Sequence, residues 1–111
     1  MQERKVVLTW EAIYDITDIA NYIEAKFGIT RADQFQSEIH KKIKDLELFG
    51  TMFLKTNLLY RSYSIYQKPF PPSIIFYIIK EPENKIHVLR IIWEERDWEK
   101  LLMYQQSYTY P

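Results

Sequence analysis

Apolar positions along the chain change period twice. Val6, Val7 and Leu8 form a short apolar run, the pattern of a first strand. Ala12, Ile16, Ile19, Ala20, Ile23 and Phe27 then recur at three- and four-residue steps, the spacing of one helical face. Thr9 stands where an N-cap belongs, and Gly28 where the helix should stop. A second stripe of Ala32, Phe35, Ile39, Ile43 and Leu46 leads to Gly50, with Thr30 and Asp33 as its N-terminal signal. The two helices are expected to pair as a hairpin.

From Leu58 the pattern becomes strand-like. Leu58 to Tyr66, Ser73 to Ile79 and Ile86 to Trp93 are rich in β-branched and aromatic residues. The segments Lys68-Pro69-Phe70-Pro71-Pro72 and Glu81-Pro82-Glu83-Asn84 separate them as loops. Links this short join antiparallel strands. Ile74 to Ile79 is apolar on both faces, so this strand should be central, with helices on one side and something apolar or a partner on the other. Asp97 sits at the N-cap position of a last helix. The predicted fold is α+β, in the order β-α-α-β-β-β with a short C-terminal helix. Its antiparallel sheet carries the helical hairpin on one face and leaves the opposite face partly open. A single domain should span residues 1–111, with 103–111 a possible tail.

Composition narrows the chemistry. With 111 residues and 47% hydrophobic content the chain can build one compact core. It has no cysteine, so disulfide and thiolate chemistry are excluded. His40 and His87 stand far apart with no acidic cluster at ligand spacing, and no metal or other cofactor is expected. Fifteen Lys+Arg balance fifteen Asp+Glu, which excludes holding nucleic acid by bulk charge; any such contact must be local. The opening MQERKVVLTW lacks the apolar core of a signal peptide, and no apolar run approaches the roughly 20 residues of a membrane span. A cytoplasmic protein without a membrane partner is expected.

Three arginines break this plain pattern. Arg90 lies inside an apolar strand, and alternation puts it on one face with Val88 and Ile92. A guanidinium there needs a partner or open solvent. Under the helices it would need a carboxylate such as Asp15 or Asp18; the open face is the expected position. Arg61, in LLYRSYSIY, should share a face with Leu59, Tyr63 and Ile65. Arg96 belongs to the charged knot Glu94-Glu95-Arg96-Asp97, of which Asp97 is the cap and the rest its solvated approach. Arginines gathered on the open face would suit a phosphate or a carboxylate-bearing segment. Tyr14 and Tyr22 are expected at the core edge of the first helix. Tyr104, Tyr108 and Tyr110 either pack onto the body or meet a partner. His40, Lys41, Lys42 and Lys44 form a solvated helix face.

The order of these pieces resembles the RelE/ParE family of toxins from type II toxin–antitoxin systems, the plasmid stabilisation type. The likeness runs from Val6 to Leu102. It is carried by VVLTWEAIYDITDIANYI, ADQFQSEIHKKIKDLELFG, YRSYSIY, IIFYII and IHVLRIIWEERDW in that sequence. The resemblance implies a bacterial growth inhibitor neutralised by a cognate antitoxin and needing no small-molecule cofactor. It also implies one of two targets. Some members cut mRNA on the ribosome without metal, the 2′-hydroxyl attacking while basic residues and a tyrosine or histidine transfer protons and an arginine steadies the phosphorane. Others bind and inhibit DNA gyrase. This chain departs from the nuclease pattern, with Ser73 and Ile74 before the third strand's apolar core and Glu94 and Glu95 after the last strand, where basic residues are frequent in nucleases. Acids beside a scissile phosphate repel it, so a gyrase-type protein target is favoured over mRNA cleavage. Arg61, Arg90 and Arg96 are the catalytic candidates if there is catalysis. With Tyr63, Tyr77 and Trp93 they form the expected partner-binding set. The alternative is a non-toxic interaction module that only pairs with a partner or with itself.

Overall fold

The computed structural model describes residues 3–111. Its elements are β1 (Lys5–Leu8), α1 (Trp10–Phe27), α2 (Ile29–Lys44), α3 (Leu46–Phe49), β2 (Leu54–Tyr60), β3 (Tyr63–Phe70), β4 (Ser73–Lys80), β5 (Lys85–Trp93) and α4 (Trp98–Tyr104). They form an α+β fold with one sheet in the order β1-β5-β4-β3-β2. β1 runs parallel to β5, and the other neighbours are antiparallel.

Both helix caps expected at Thr9 and Asp97 form: the Thr9 hydroxyl accepts the Ala12 N–H, and Asp97 accepts the Lys100 N–H. Gly28, at φ 94°, separates α1 from α2, a conformation that costs a glycine little. α2 begins directly after it, so Thr30 lies inside the helix and does not cap it. The far end of α2 is closed from the sheet. Lys68 of β3 is buried, its ammonium donating to the Lys42 carbonyl at 2.7 Å and lying 4.9 Å from the Phe53 ring centre. A cation at a helix C-terminus opposes the helix dipole favourably.

The strand expected over Leu58 to Tyr66 is in fact the junction of β2 and β3. Arg61 and Ser62 form the turn between them with φ of 47° and 70°, two left-handed residues in the two-residue hairpin geometry that Asn-Gly usually signals. Arg61 therefore occupies a hairpin tip and shares no strand face with Leu59, Tyr63 and Ile65. Pro69 and Phe70, expected in a loop, belong to β3 and pair with Ile74 and Ser73.

β4 is central and buried on both faces. Ile75, Tyr77 and Ile79 meet Ile16, Ile19, Phe35 and Ile39 of the helical hairpin. The other face is covered as well, which corrects the expectation of an open face. Ile74, Phe76, Ile78, Leu89 and Ile92 pack beneath Leu102 of α4 and Tyr108, with Trp98 and Leu101 at the margin. Residues beyond α4 run over this face as a strap. The Trp10 N–H donates to the Thr109 carbonyl, and the Thr109 N–H and hydroxyl both donate to the Glu11 carboxylate at 2.9 Å. The Tyr110 hydroxyl lies 2.7 Å from His87 Nδ1.

The strap is held by groups that titrate. Burial, with Lys80 nearby, keeps the His87 imidazole below its ordinary pKa. Burial works to raise the Glu11 carboxyl, but hydrogen bonds from Thr109 outweigh it and set it below the usual carboxylate value. Both folded pKa values are depressed, so both contributions are present above the unfolded values of about 6.5 and 4.3 and are lost on acidification. The melting temperature should therefore fall as pH drops from 7 to 5, and His87→Gln should flatten that slope. A second expectation concerns Tyr108, whose buried hydroxyl finds no partner among the described residues. Tyr108→Ala should cost about 3 kcal/mol in urea denaturation, whereas Tyr108→Phe should be neutral or stabilising.

Candidate functional site

β1 stops at Leu8, paired with Val88, while β5 continues to Trp93. Past Val88 the strand has a bare edge, and α1 covers it with side chains. The Thr9 hydroxyl donates to the Leu89 carbonyl at 2.9 Å, and Asp15 Oδ2 accepts the Ile91 N–H at 2.9 Å. β5 also carries a bulge: Tyr77 faces Val88 and Phe76 faces Arg90, leaving Leu89 without an opposite residue. Consequently Val88 and Ile91 face the helices, while Leu89 and Ile92 face α4.

Arg90 sits at this break in alternation and turns toward the sheet edge. Its Nε lies 2.7 Å from Asp15 Oδ2 and its Nη2 3.0 Å from Oδ1, a bidentate pair. Arg90 stands opposite Phe76 on the side of the sheet away from the hairpin, but α4 covers that side and the guanidinium is spent on Asp15, so the open, unpaired position expected for it is not found. The Asp15 hydrogen bonds raise the Arg90 pKa, against its desolvation. Burial lifts the Asp15 carboxyl above its usual value, against the pull of Arg90 and the Ile91 N–H.

Two concave regions flank this edge. One is an open cleft of about 570 Å³ lined by Arg90, Arg96, Asp97, Lys100, Tyr104 and the first strap residues. The other, about 790 Å³, lies between the helical hairpin and the proline turn; Tyr22, Phe27, Phe35, Phe70 and Trp93 line it, with Arg31, Glu38 and Lys42 among them. Trp93 is half-buried and meets Tyr22 edge to face at 5.7 Å.

The structure brings Arg90 and Arg96 to one cleft and leaves Arg61 outside its lining. Arg61 is exposed at its hairpin tip, 5.2 Å from the Tyr60 ring centre. Tyr63 is half-buried beneath the Lys80 ammonium. Tyr77 is fully buried, its hydroxyl donating to the Gly50 carbonyl at 2.6 Å, which makes it a core residue and removes it from any contact surface. Sequence reasoning missed the apolar groove. Tyr22 was expected at the core edge and is 50% exposed; Phe27 ended a helix stripe and is 70% exposed. Their residue types gave no sign that the helical face would overhang the proline turn. Among the described residues no three His, Asp or Glu side chains gather as metal ligands.

A family model described as ParE toxin of type II toxin-antitoxin system, parDE, matches residues 6–98. The fold is similar to a solved structure titled the chromosomal ParDE TA system from P. aeruginosa, with a TM-score of 0.70 and 16% identity, covering 82% of this chain and 96% of that one. No curated protein matches the sequence. No helix among the described residues is long and apolar enough to cross a membrane.

Arg90→Ala should destabilise the fold by about 3 kcal/mol, the low end for breaking a buried pair, because the two side chains keep 17% and 14% exposure. Asp15→Asn added to that variant should restore part of the loss, since the amide oxygen can still accept the Ile91 N–H. Denaturant melts of the two single variants and the double variant measure the coupling.

Proposed function

The chain belongs to the ParE toxin family of type II toxin–antitoxin systems, and from that premise we propose that it arrests bacterial growth by binding a protein target, DNA gyrase in the first instance. In this reading it acts in the cytoplasm and is silenced by a cognate antitoxin.

One observation carries the choice of a protein target over mRNA cleavage: Arg90 spends Nε and Nη2 on Asp15. A phosphorane needs an arginine free to meet it, together with an acid and a base within hydrogen-bond reach. His87 is buried beneath the strap against Tyr110. Ser73 and Ile74 are buried, and Glu94 and Glu95 are exposed where a substrate phosphate would be repelled. The catalytic candidates Arg61, Arg90 and Arg96 are accordingly not assigned to catalysis.

The antitoxin is assigned to the groove around Tyr22, Phe27, Phe70 and Trp93. Its aromatic lining with a charged rim fits an amphipathic segment that buries alternate apolar side chains. Arg61 makes no ion pair among the described residues and, with Tyr63 behind it, is offered to the target.

Induced expression in a bacterial host tests this, with and without the product of the adjacent gene, alongside assays of gyrase supercoiling and of ribosome-bound mRNA integrity. Growth should stop, co-expression should restore it, supercoiling should be inhibited and mRNA should stay intact. Cut mRNA would replace the protein target with a nuclease. Indifference of the host would leave only an interaction module with a toxin-like fold.

A further inference from the structure

We infer that the cleft floored by Arg90 and flanked by Arg96 and Lys100 is an anion site that receives a carboxylate side chain of the silencing antitoxin. This rests on the toxin reading above and adds the chemistry of the partner.

Arg90 enters the cleft already oriented. Its bidentate bond to Asp15 fixes the guanidinium plane, and Nη1 stands outside that bond with only a 3.5 Å contact to Gln105 Oε1. A donor held in place before binding costs less order when a ligand arrives. Since Asp15 balances the Arg90 charge, the attraction comes from Arg96 and Lys100. Both are exposed, and neither has a carboxylate within ion-pair distance among the described residues. The one acid in the lining, Asp97, is occupied with the Lys100 N–H. Tyr104 and Ser107 add hydroxyls to the wall.

The surroundings select a single carboxylate over a phosphate chain. Glu94, Glu95 and Glu99 are all exposed beside the cleft, so a polyanion extending from it would meet like charge. One acidic side chain would not. The antitoxin is favoured as the source by position: Arg90 and Trp93 lie on one strand, three residues or roughly 10 Å apart. The groove lies on the hairpin side and the cleft on the α4 side, so a segment with an apolar anchor in the groove can cross the strand's edge and place an acid near Arg90. Lys100, Tyr104 and Ser107 stand beyond residue 98, where the family match ends, so the match itself does not account for this wall.

The test uses the full-length protein and the variant Arg96→Ala/Lys100→Ala, whose melting temperature should equal that of wild type because both side chains are exposed. A penta-uridylate and a capped glycine-rich peptide carrying one glutamate are titrated by isothermal calorimetry. The protein encoded by the adjacent gene is titrated separately, and growth arrest by the variant is scored. The peptide should bind wild type more tightly than the oligonucleotide, weaken with salt, and lose about tenfold affinity in the variant. Antitoxin affinity should also fall about tenfold with growth arrest retained. Preference for the oligonucleotide, or equal peptide binding by both proteins, overturns the site. Unchanged antitoxin binding overturns the assignment to the antitoxin, and if arrest is also lost the carboxylate belongs to the target. If wild-type protein neither stops growth nor binds its neighbour, the toxin reading fails while the peptide titration still decides the cleft.

Discussion

Asp15 ties α1 to the bare edge of β5. Its carboxylate accepts two hydrogen bonds from Arg90 and a third from the Ile91 N–H. β1 leaves the sheet at Leu8 because Thr9 caps α1, and the remaining edge of β5 would otherwise present unpaired backbone. Such an edge invites pairing with other chains, and an unsatisfied buried amide costs about 1–3 kcal/mol. Thr9 and Asp15, six residues apart on one helix, do the work of the absent strand. The same contacts fix α1 along β5, which places Tyr22 against Trp93 and so shapes the aromatic groove.

The second constraint is area. A domain of 111 residues leaves a large share of its surface exposed, and a sheet whose central strand is apolar on both faces cannot leave one of them bare. Two helices cover the first face; α4 and the strap cover the second. The strap shows how a few residues without regular structure can hold. Tyr108 fills the core, Thr109 is clamped by Glu11 and by the Trp10 N–H, and Tyr110 reaches His87.

What could be read from sequence follows from the range of each interaction. Thr9, Gly28 and Asp97 act on neighbours within one helical turn, and their roles were legible. The apolar faces of α1, α2 and β4 were legible for the same reason, since periodicity is a local record of burial. The turn at Arg61-Ser62 was not, because two residues with ordinary side chains adopt left-handed backbone there and only the pairing of β2 with β3 demands it. The bulge at Leu89 was equally silent, being set by how β5 registers against β4. Its consequence was large: the extra residue splits the face that alternation gave to Val88 and Arg90, leaving Val88 toward the helices and Arg90 on the α4 side, where it reaches Asp15 at the sheet edge. The strap was weakly legible, as three tyrosines with no period of their own.

A single extra residue in a strand therefore decides what an arginine can do. In strict alternation Arg90 would follow Val88 beneath the helices. Displaced by the bulge, it completes a structural pair with Asp15 and offers one remaining edge, Nη1, to the cleft beside α4. A guanidinium so anchored cannot follow a reacting phosphate, but it can present a fixed donor to a partner already shaped to meet it. The neutral net charge agrees with that division, since recognition must then be local: an aromatic groove at Trp93 and a small cationic cleft at Arg90, on one strand and three residues apart. On the proposed reading, the chemistry of this edge is that of holding a protein segment in register.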